Sequence, residues 1–225
     1  MPTLPDTDYP LSFRMTTNPS DLPASPKLLT AIAILWLIGI AVSGWSPFDR
    51  TTWWLEVFPC FVGFAVMWST RRKFPLTNLL YALILLHGLV LLVGGAYSYA
   101  RVPLGFWMQD WFGFERNNYD KIGHFAQGFV PAIIARELLI RKWKVGQRRL
   151  VAFLAVSICL AFSAFYELVE WWAALGLGQG ADEFLGTQGD PWDTQSDMFF
   201  ALLGAIAALS VLPGWHDRQM RSMPE

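Results

Sequence analysis

The chain has 225 residues, 54% hydrophobic and only 16% charged, with Trp at 12 positions. A soluble domain of this size carries about a quarter charged residues, so the composition points away from a water-soluble globular protein. A formal net charge of −1 implies no nucleic-acid partner and leaves the placement of charge as the informative quantity.

Residues 1–27 are Pro-rich and polar without an apolar run, and read as a disordered cytoplasmic tail. Six apolar stretches follow, at 28–46, 53–69, 78–98, 120–140, 149–174 and 193–212, the second the shortest and the fourth the most polar. A transmembrane helix needs about 17–25 residues, so the expected fold is all-α, a polytopic bundle of about six spans within 28–215. Residues 216–225 are left as a short cytoplasmic tail. The run "LLTAIAILWLIGIAVSGW", with Ala41 and Ser43 as small residues, also fits a cleaved signal peptide; its long acidic leader and the length of the run argue against cleavage. Aromatic residues gather at span ends, as in "WSPFDRTTWW", where membrane interfaces favour them.

Orientation follows from Lys and Arg. With six spans and the N-terminus inside, only Arg50, Arg101, Arg116 and Lys121 of the 17 basic residues fall outside. This positive-inside bias predicts both termini on the cytoplasmic side of the membrane. Acidic residues then sort to the outer side. Asp110, Glu115, Asp182 and Glu183 lie in loops and read as solvated charges, whereas others recur at helical spacing near the outer ends of three helices.

Asp120 and His124 are spaced i,i+4, and Gln127 extends their stripe; Glu167 and Glu170 are i,i+3; Asp193 and Asp197 are i,i+4. Each pair reaches a similar depth, so three helices present acidic pairs to one layer. Singly, Asp120 and Asp193 also fit helix caps. Together, carboxylates in one membrane layer need protons or a positive partner. A divalent metal such as Zn, Mn or Mg suits one imidazole with several carboxylates; the candidate ligands are His124, Glu167, Glu170, Asp193 and Asp197. An organic cation or shared protons are the other two solutions. Asp190 lies ahead of its helix and should be the most dispensable of the three carboxylates in "GDPWDTQSDM".

The strings "GGAYSYARVPLGFW", "NNYDKIGHFAQGFVPA", "AFYELVEWW" and "GDPWDTQSDM" resemble the bacterial YjdF family of inner-membrane proteins, over nearly everything from the second span onward. That family is in turn similar to the VanZ-like group, associated with glycopeptide-antibiotic resistance. Its pattern falls here on Asp120, Lys121 and His124, then Glu167 or Glu170, then Asp193 or Asp197. The resemblance implies a site in this layer and supplies no reaction; the doubled Glu and tripled Asp exceed the VanZ-like pattern.

His87, mid-span, is expected as a buried hydrogen-bonding residue, and Cys60 and Cys159 as apolar packing residues without a disulfide. The Gly-rich "GLGQGADEFLGTQGD" follows a helix, which excludes a nucleotide-binding loop and suggests an outer loop folding over the site. Two functional classes follow. One is a metal-dependent hydrolase or transferase of a lipid-linked or envelope substrate at the outer leaflet, with Asp120, His124, Glu167, Glu170, Asp193 and Asp197 as catalytic candidates. The other is a cation-binding or transport protein, against which stands the shortage of acids along the inner half, where Glu137 is alone beside Arg136. A structural membrane protein with acidic caps is the third reading.

Overall fold

The computed structural model describes residues 25–177, 185 and 187–223. The N-terminal tail up to residue 24 and most of the Gly-rich loop, Asp182 and Glu183 included, lie outside the described residues. Among the described residues the elements are helical: α1 Pro26–Trp45, α2 Arg50–Thr70, α3 Asn78–Tyr97, α4 Pro103–Phe112, α5 Tyr119–Glu137, α6 Arg148–Leu177, α7 Asp193–Val211 and α8 Pro213–Arg221, with a π-helical turn Leu138–Lys142 closing α5.

Helix starts follow local chemistry. The Ser25 hydroxyl accepts from the Leu28 N–H and Pro26 fills the first turn, so α1 begins earlier than its apolar run. Asp49 does the same for α2, taking the Thr52 N–H at 2.6 Å, and that bond holds its carboxyl below the usual range. The second span is therefore longer than the apolar pattern alone implies, 21 residues from Arg50. Thr77 caps α3, which ends with Ser98 and Tyr99 at positive φ, turning the chain into α4. The 99–119 segment, expected as a loop, thus carries a helix of 10 residues, opened by Pro103 and stopped at Gly113 with φ +68°.

Helices α1, α3, α6 and α7 are long and apolar enough to cross a membrane. Helices α2 and α5 are of similar length, 21 and 19 residues, but carry charges, Arg50 and Glu56 in one and Asp120, Lys121, Arg136 and Glu137 in the other. Large apolar side chains point outward along the spans, among them Leu37, Val42, Phe58, Leu86, Phe153 and Phe162, each more than half exposed. Such a surface needs hydrocarbon around it. The chain is a polytopic helical bundle.

Helix α5 packs on α3, α6 and α7 and forms the axis of this arrangement. Small residues bring α5 and α7 into backbone contact: a Cβ on Gly128 would lie 1.8 Å from the Ala201 carbonyl oxygen, and one on Gly204 2.0 Å from that of Phe125. Below that crossing, Leu80, Ala132, Ile133, Cys159, Ala205 and Ala208 form the core. Cys60 and Cys159 are buried free thiols, as packing residues should be.

Contacts sort the loops to two ends. At one, Phe48 N–H meets the Ala96 carbonyl and Asn117 exchanges hydrogen bonds with Gln188. At the other, the segment expected as a short cytoplasmic tail is largely helical, α8, with His216 and Gln219 buried. Glu137, fully buried, accepts from the Thr77 N–H and hydroxyl, from His216 Nε2 at 2.8 Å and from Arg141. His216 Nδ1 then faces Arg136 Nη1 at 2.8 Å and must accept. Protonating the ring would set two donors against each other, and burial accordingly pushes the His216 pKa down. Gln219 Oε1 takes the Leu79 N–H at 2.9 Å, so α8 is bonded to the start of α3 as well.

Candidate functional site

The first two turns of α5 carry Asp120, Lys121 and His124. Asp120 and His124 share a stripe, and Lys121, one residue on, is rotated about 100° toward α7. The close α5–α7 crossing brings Asp193 and Asp197 opposite them, while α6, running the other way, delivers Glu167 and Glu170 to the same layer.

His124 is the hinge of the arrangement. Its Nδ1 lies 2.9 Å from Gln127 Oε1, which accepts the Nδ1–H and leaves Nε2 to face the acids. Nε2 stands 3.3 Å from Asp120 Oδ1 and 3.7 Å from Asp197 Oδ1. Glu167 Oε1 lies 4.0 Å from Nδ1. Asp120, His124 and Asp197 each offer a ligating atom within 4.8 Å of the others, the one such group of three among the described residues.

Asp193 is placed differently from the expected ligand. Its Oδ1 accepts from Arg116 Nη2 and Lys121 Nζ, both at 2.7 Å. It caps nothing either: Trp192 holds the cap position of α7 with no side-chain bond, and Asn118 holds that of α5. Lys121 also donates to Asp197 Oδ1 at 2.6 Å and lies 3.7 Å from Asp120 Oδ2. The layer therefore brings cations of its own. Asp190 bonds the Trp192 N–H at 2.9 Å and lies 3.5 Å from Arg116.

The opposite side of His124 is acidic and aromatic. Tyr166 sets its ring edge-on to the imidazole, 6.5 Å between centroids, and its hydroxyl donates to Glu56 Oε2 at 3.3 Å. Glu56, buried on α2, is the acid that the sequence reading missed. A single Glu in a Trp-rich run has no helical partner to mark it; its signal was a carboxylate within two turns of the outer end of a span. Glu170 is half-buried within electrostatic reach of Glu167, Glu56 and His124. Three buried polar atoms nearby have no partner: Glu167 Oε1, Ser163 Oγ and His87 Nε2. The expected hydrogen bond of His87 is thus not made at that nitrogen.

Residues 28–218 match the family model described as "Predicted membrane protein (DUF2238)". The chain is also 53% identical over 196 residues to the inner membrane protein YjdF of Escherichia coli (strain K12), covering 87% of this chain and 94% of that protein. The chain belongs to this family. It is a multi-pass membrane protein, and the inner-membrane location expected from the sequence agrees with that of the relative. The matches concern this family alone and bring nothing that bears on the VanZ-like resemblance. No solved structure matches the chain.

Proposed function

We propose that this family member is a membrane-embedded, metal-dependent hydrolase or transferase acting on a lipid-linked or envelope substrate at the outer leaflet. The observation that carries the reading is the Asp120, His124 and Asp197 group, with ligating atoms within 4.8 Å of one another around an imidazole whose tautomer Gln127 sets. Ligands bonded at about 2.0–2.2 Å in a tetrahedral shell stand about 3.3–3.6 Å apart. The separations of 3.3 and 3.7 Å from His124 Nε2 are close to that spacing. One nitrogen and two carboxylate oxygens suit Zn or Mn, and Mg less well. Asp193, held by Arg116 and Lys121, supports the shell without joining it.

A metal held by Asp120, His124 and Asp197 would lower the pKa of a bound water toward neutrality. Glu167, whose buried Oε1 lies 4.0 Å from His124 Nδ1 without a hydrogen-bond partner, would be the spare carboxylate that serves as general base through a bridging water. The Lys and Arg asymmetry supports the orientation: loops 71–77 and 143–147 face the cytoplasm, and the site faces outward.

Elemental analysis of protein purified in mild detergent, without chelators, tests the metal. The expected result is about one Zn or Mn per chain in the wild type, lost in His124→Ala and Asp197→Asn and kept in Glu167→Gln. Wild-type protein without a transition metal, before and after incubation with Zn and Mn, would reject the reading. For the reaction, a product formed from inner-membrane lipid extract by the wild type and not by Glu167→Gln is expected by mass spectrometry. Identical products from both would remove Glu167 as the base.

A further inference from the structure

The outer layer divides into two halves of unlike charge. On the α5–α7 side, Lys121 and Arg116 lie against Asp120, Asp190, Asp193 and Asp197. On the α2–α6 side stand Glu56, Glu167 and Glu170, and among the described residues no Lys or Arg pairs with any of them. Glu56 has the Tyr166 hydroxyl. Glu167 is 8% exposed, and its Oε1 has no hydrogen-bond partner. An independent sign comes from Ser163: fully buried, one turn before Glu167 on the same face of α6, its Oγ also lacks a partner. A carboxylate oxygen and a hydroxyl, buried one turn apart on the same helix without hydrogen-bond partners, mark a place that a donor-rich group completes.

We infer that this half is a second cation subsite, shaped for a primary ammonium group. The inference rests on the proposed outer-leaflet function and names the chemistry of its ligand. Spacing separates an ammonium from a second metal. Ligands of one metal stand at most about 4.4 Å apart, twice a bond of about 2.2 Å. Acceptors across an ammonium reach about 5.6 Å, twice a charge-assisted bond of about 2.8 Å. Glu56, Glu167 and Glu170 do not bring ligating atoms within 4.8 Å of one another, as Asp120, His124 and Asp197 do. A primary ammonium, with three N–H donors, can serve carboxylates on separate helices, and the Tyr166 hydroxyl bonded to Glu56 lines the same side. Trp171 and Trp172, next to half-buried Glu170, are 56% and 52% exposed, as aromatic residues at a membrane interface are. A lipid headgroup amine and a free amine share the chemistry, and the test separates them.

The full chain in mild detergent is titrated with short-chain phosphatidylethanolamine, phosphatidylcholine and phosphatidylglycerol, and with ethanolamine. Thermal unfolding is followed by Trp fluorescence, and metal content is measured in the same samples. Phosphatidylethanolamine should raise the midpoint; phosphatidylcholine, whose nitrogen has no N–H, and phosphatidylglycerol should not. Ethanolamine acting as strongly as the lipid identifies a free amine as ligand; a response to the lipid alone identifies the headgroup. Glu56→Gln and Glu167→Gln should each weaken the response about tenfold while keeping the metal. Should Glu56→Gln not fold, Glu170→Gln replaces it. Equal responses to the amine and choline lipids, or wild-type affinity in both variants, would overturn the subsite. A metal-free wild type that still selects the amine would reject the metal reading alone.

Discussion

Helix α5 ends in a polar cluster at each terminus, and the two clusters are built on opposite rules. At the α8 end, Glu137 receives Thr77, His216 and Arg141, and Arg136 joins His216 to Asp217. The Glu137 carboxylate and both ring nitrogens of His216 are matched, and a bonded cation stands beside the buried anion. At the Asp120 end carboxylates outnumber cations, and Glu167 Oε1 and Ser163 Oγ are left without partners. A matched buried network holds elements together; an unmatched one waits for a ligand. The first joins α3, α5 and α8, and the second is the candidate site.

The comparison predicts opposite signs for the loss of one carboxylate. Glu137→Ala strands buried donors of Thr77, His216 and Arg141 and should cost about 3–5 kcal/mol of stability. Glu167→Gln removes a buried carboxylate with no Lys or Arg beside it and should leave ligand-free stability unchanged or raised. Denaturant titrations of both variants in the same detergent check this. A Glu137→Ala loss below about 1 kcal/mol, or a Glu167→Gln loss as large as that of Glu137→Ala, would erase the distinction.

Lys121 tests whether the outer cluster supplies its own cation in place of a metal. Lys121→Met leaves Asp197 without its 2.6 Å partner, while Arg116 still holds Asp193. Without added metal the variant should lose about 2–3 kcal/mol. Divalent metal should restore much of that, and bind more tightly than to the wild type, because ligand binding stabilises the folded form. A variant that metal does not rescue would make Lys121 a structural ion-pair residue only. The outcome also measures how strongly Lys121 competes for Asp197.

Periodicity made part of this site legible. The i,i+4 and i,i+3 pairs on α5, α6 and α7 could be read as stripes, and the loop order puts their outer ends in one layer. What escaped the reading depends on contacts between distant residues. Lys121 entered only through the family resemblance; one residue from Asp120, it falls off the stripe, although that offset of about 100° is what aims it at Asp193 and Asp197. Glu56 lay close to the expected start of its span, because the Asp49 cap that starts α2 at Arg50 contributes no hydrophobicity. His216 and Glu137 are 79 residues apart, and the polar sequence around His216 reads as a tail until its partners are seen. Gly128 and Gly204 look like ordinary small residues in apolar runs; only the α5–α7 backbone contact shows that they set the depth at which Asp197 meets His124.

The smallest expected effect concerns Asp190, the carboxylate ahead of the α7 start, outside the proposed metal shell and the amine subsite. Asp190 has a side chain 30% exposed, and its ion pair with Arg116 is long, at 3.5 Å. Its Oδ1 tightens the turn at Trp192, while Arg116 keeps two better bonds, to Asp193 at 2.7 Å and to the Thr187 carbonyl at 2.6 Å. Asparagine preserves the turn acceptor and loses only the partly exposed charge. Asp190→Asn should therefore cost less than about 1 kcal/mol and leave metal content and amine response at wild-type levels. Asp197→Asn, seven residues on and 2% exposed, should abolish metal binding under the same conditions. If Asp190→Asn instead lost the metal as fully as Asp197→Asn, the boundary of the site would move outward to the 187–190 turn. Arg116, the residue that joins that turn to Asp193, would then have to be counted with the machinery of the site and not with its support.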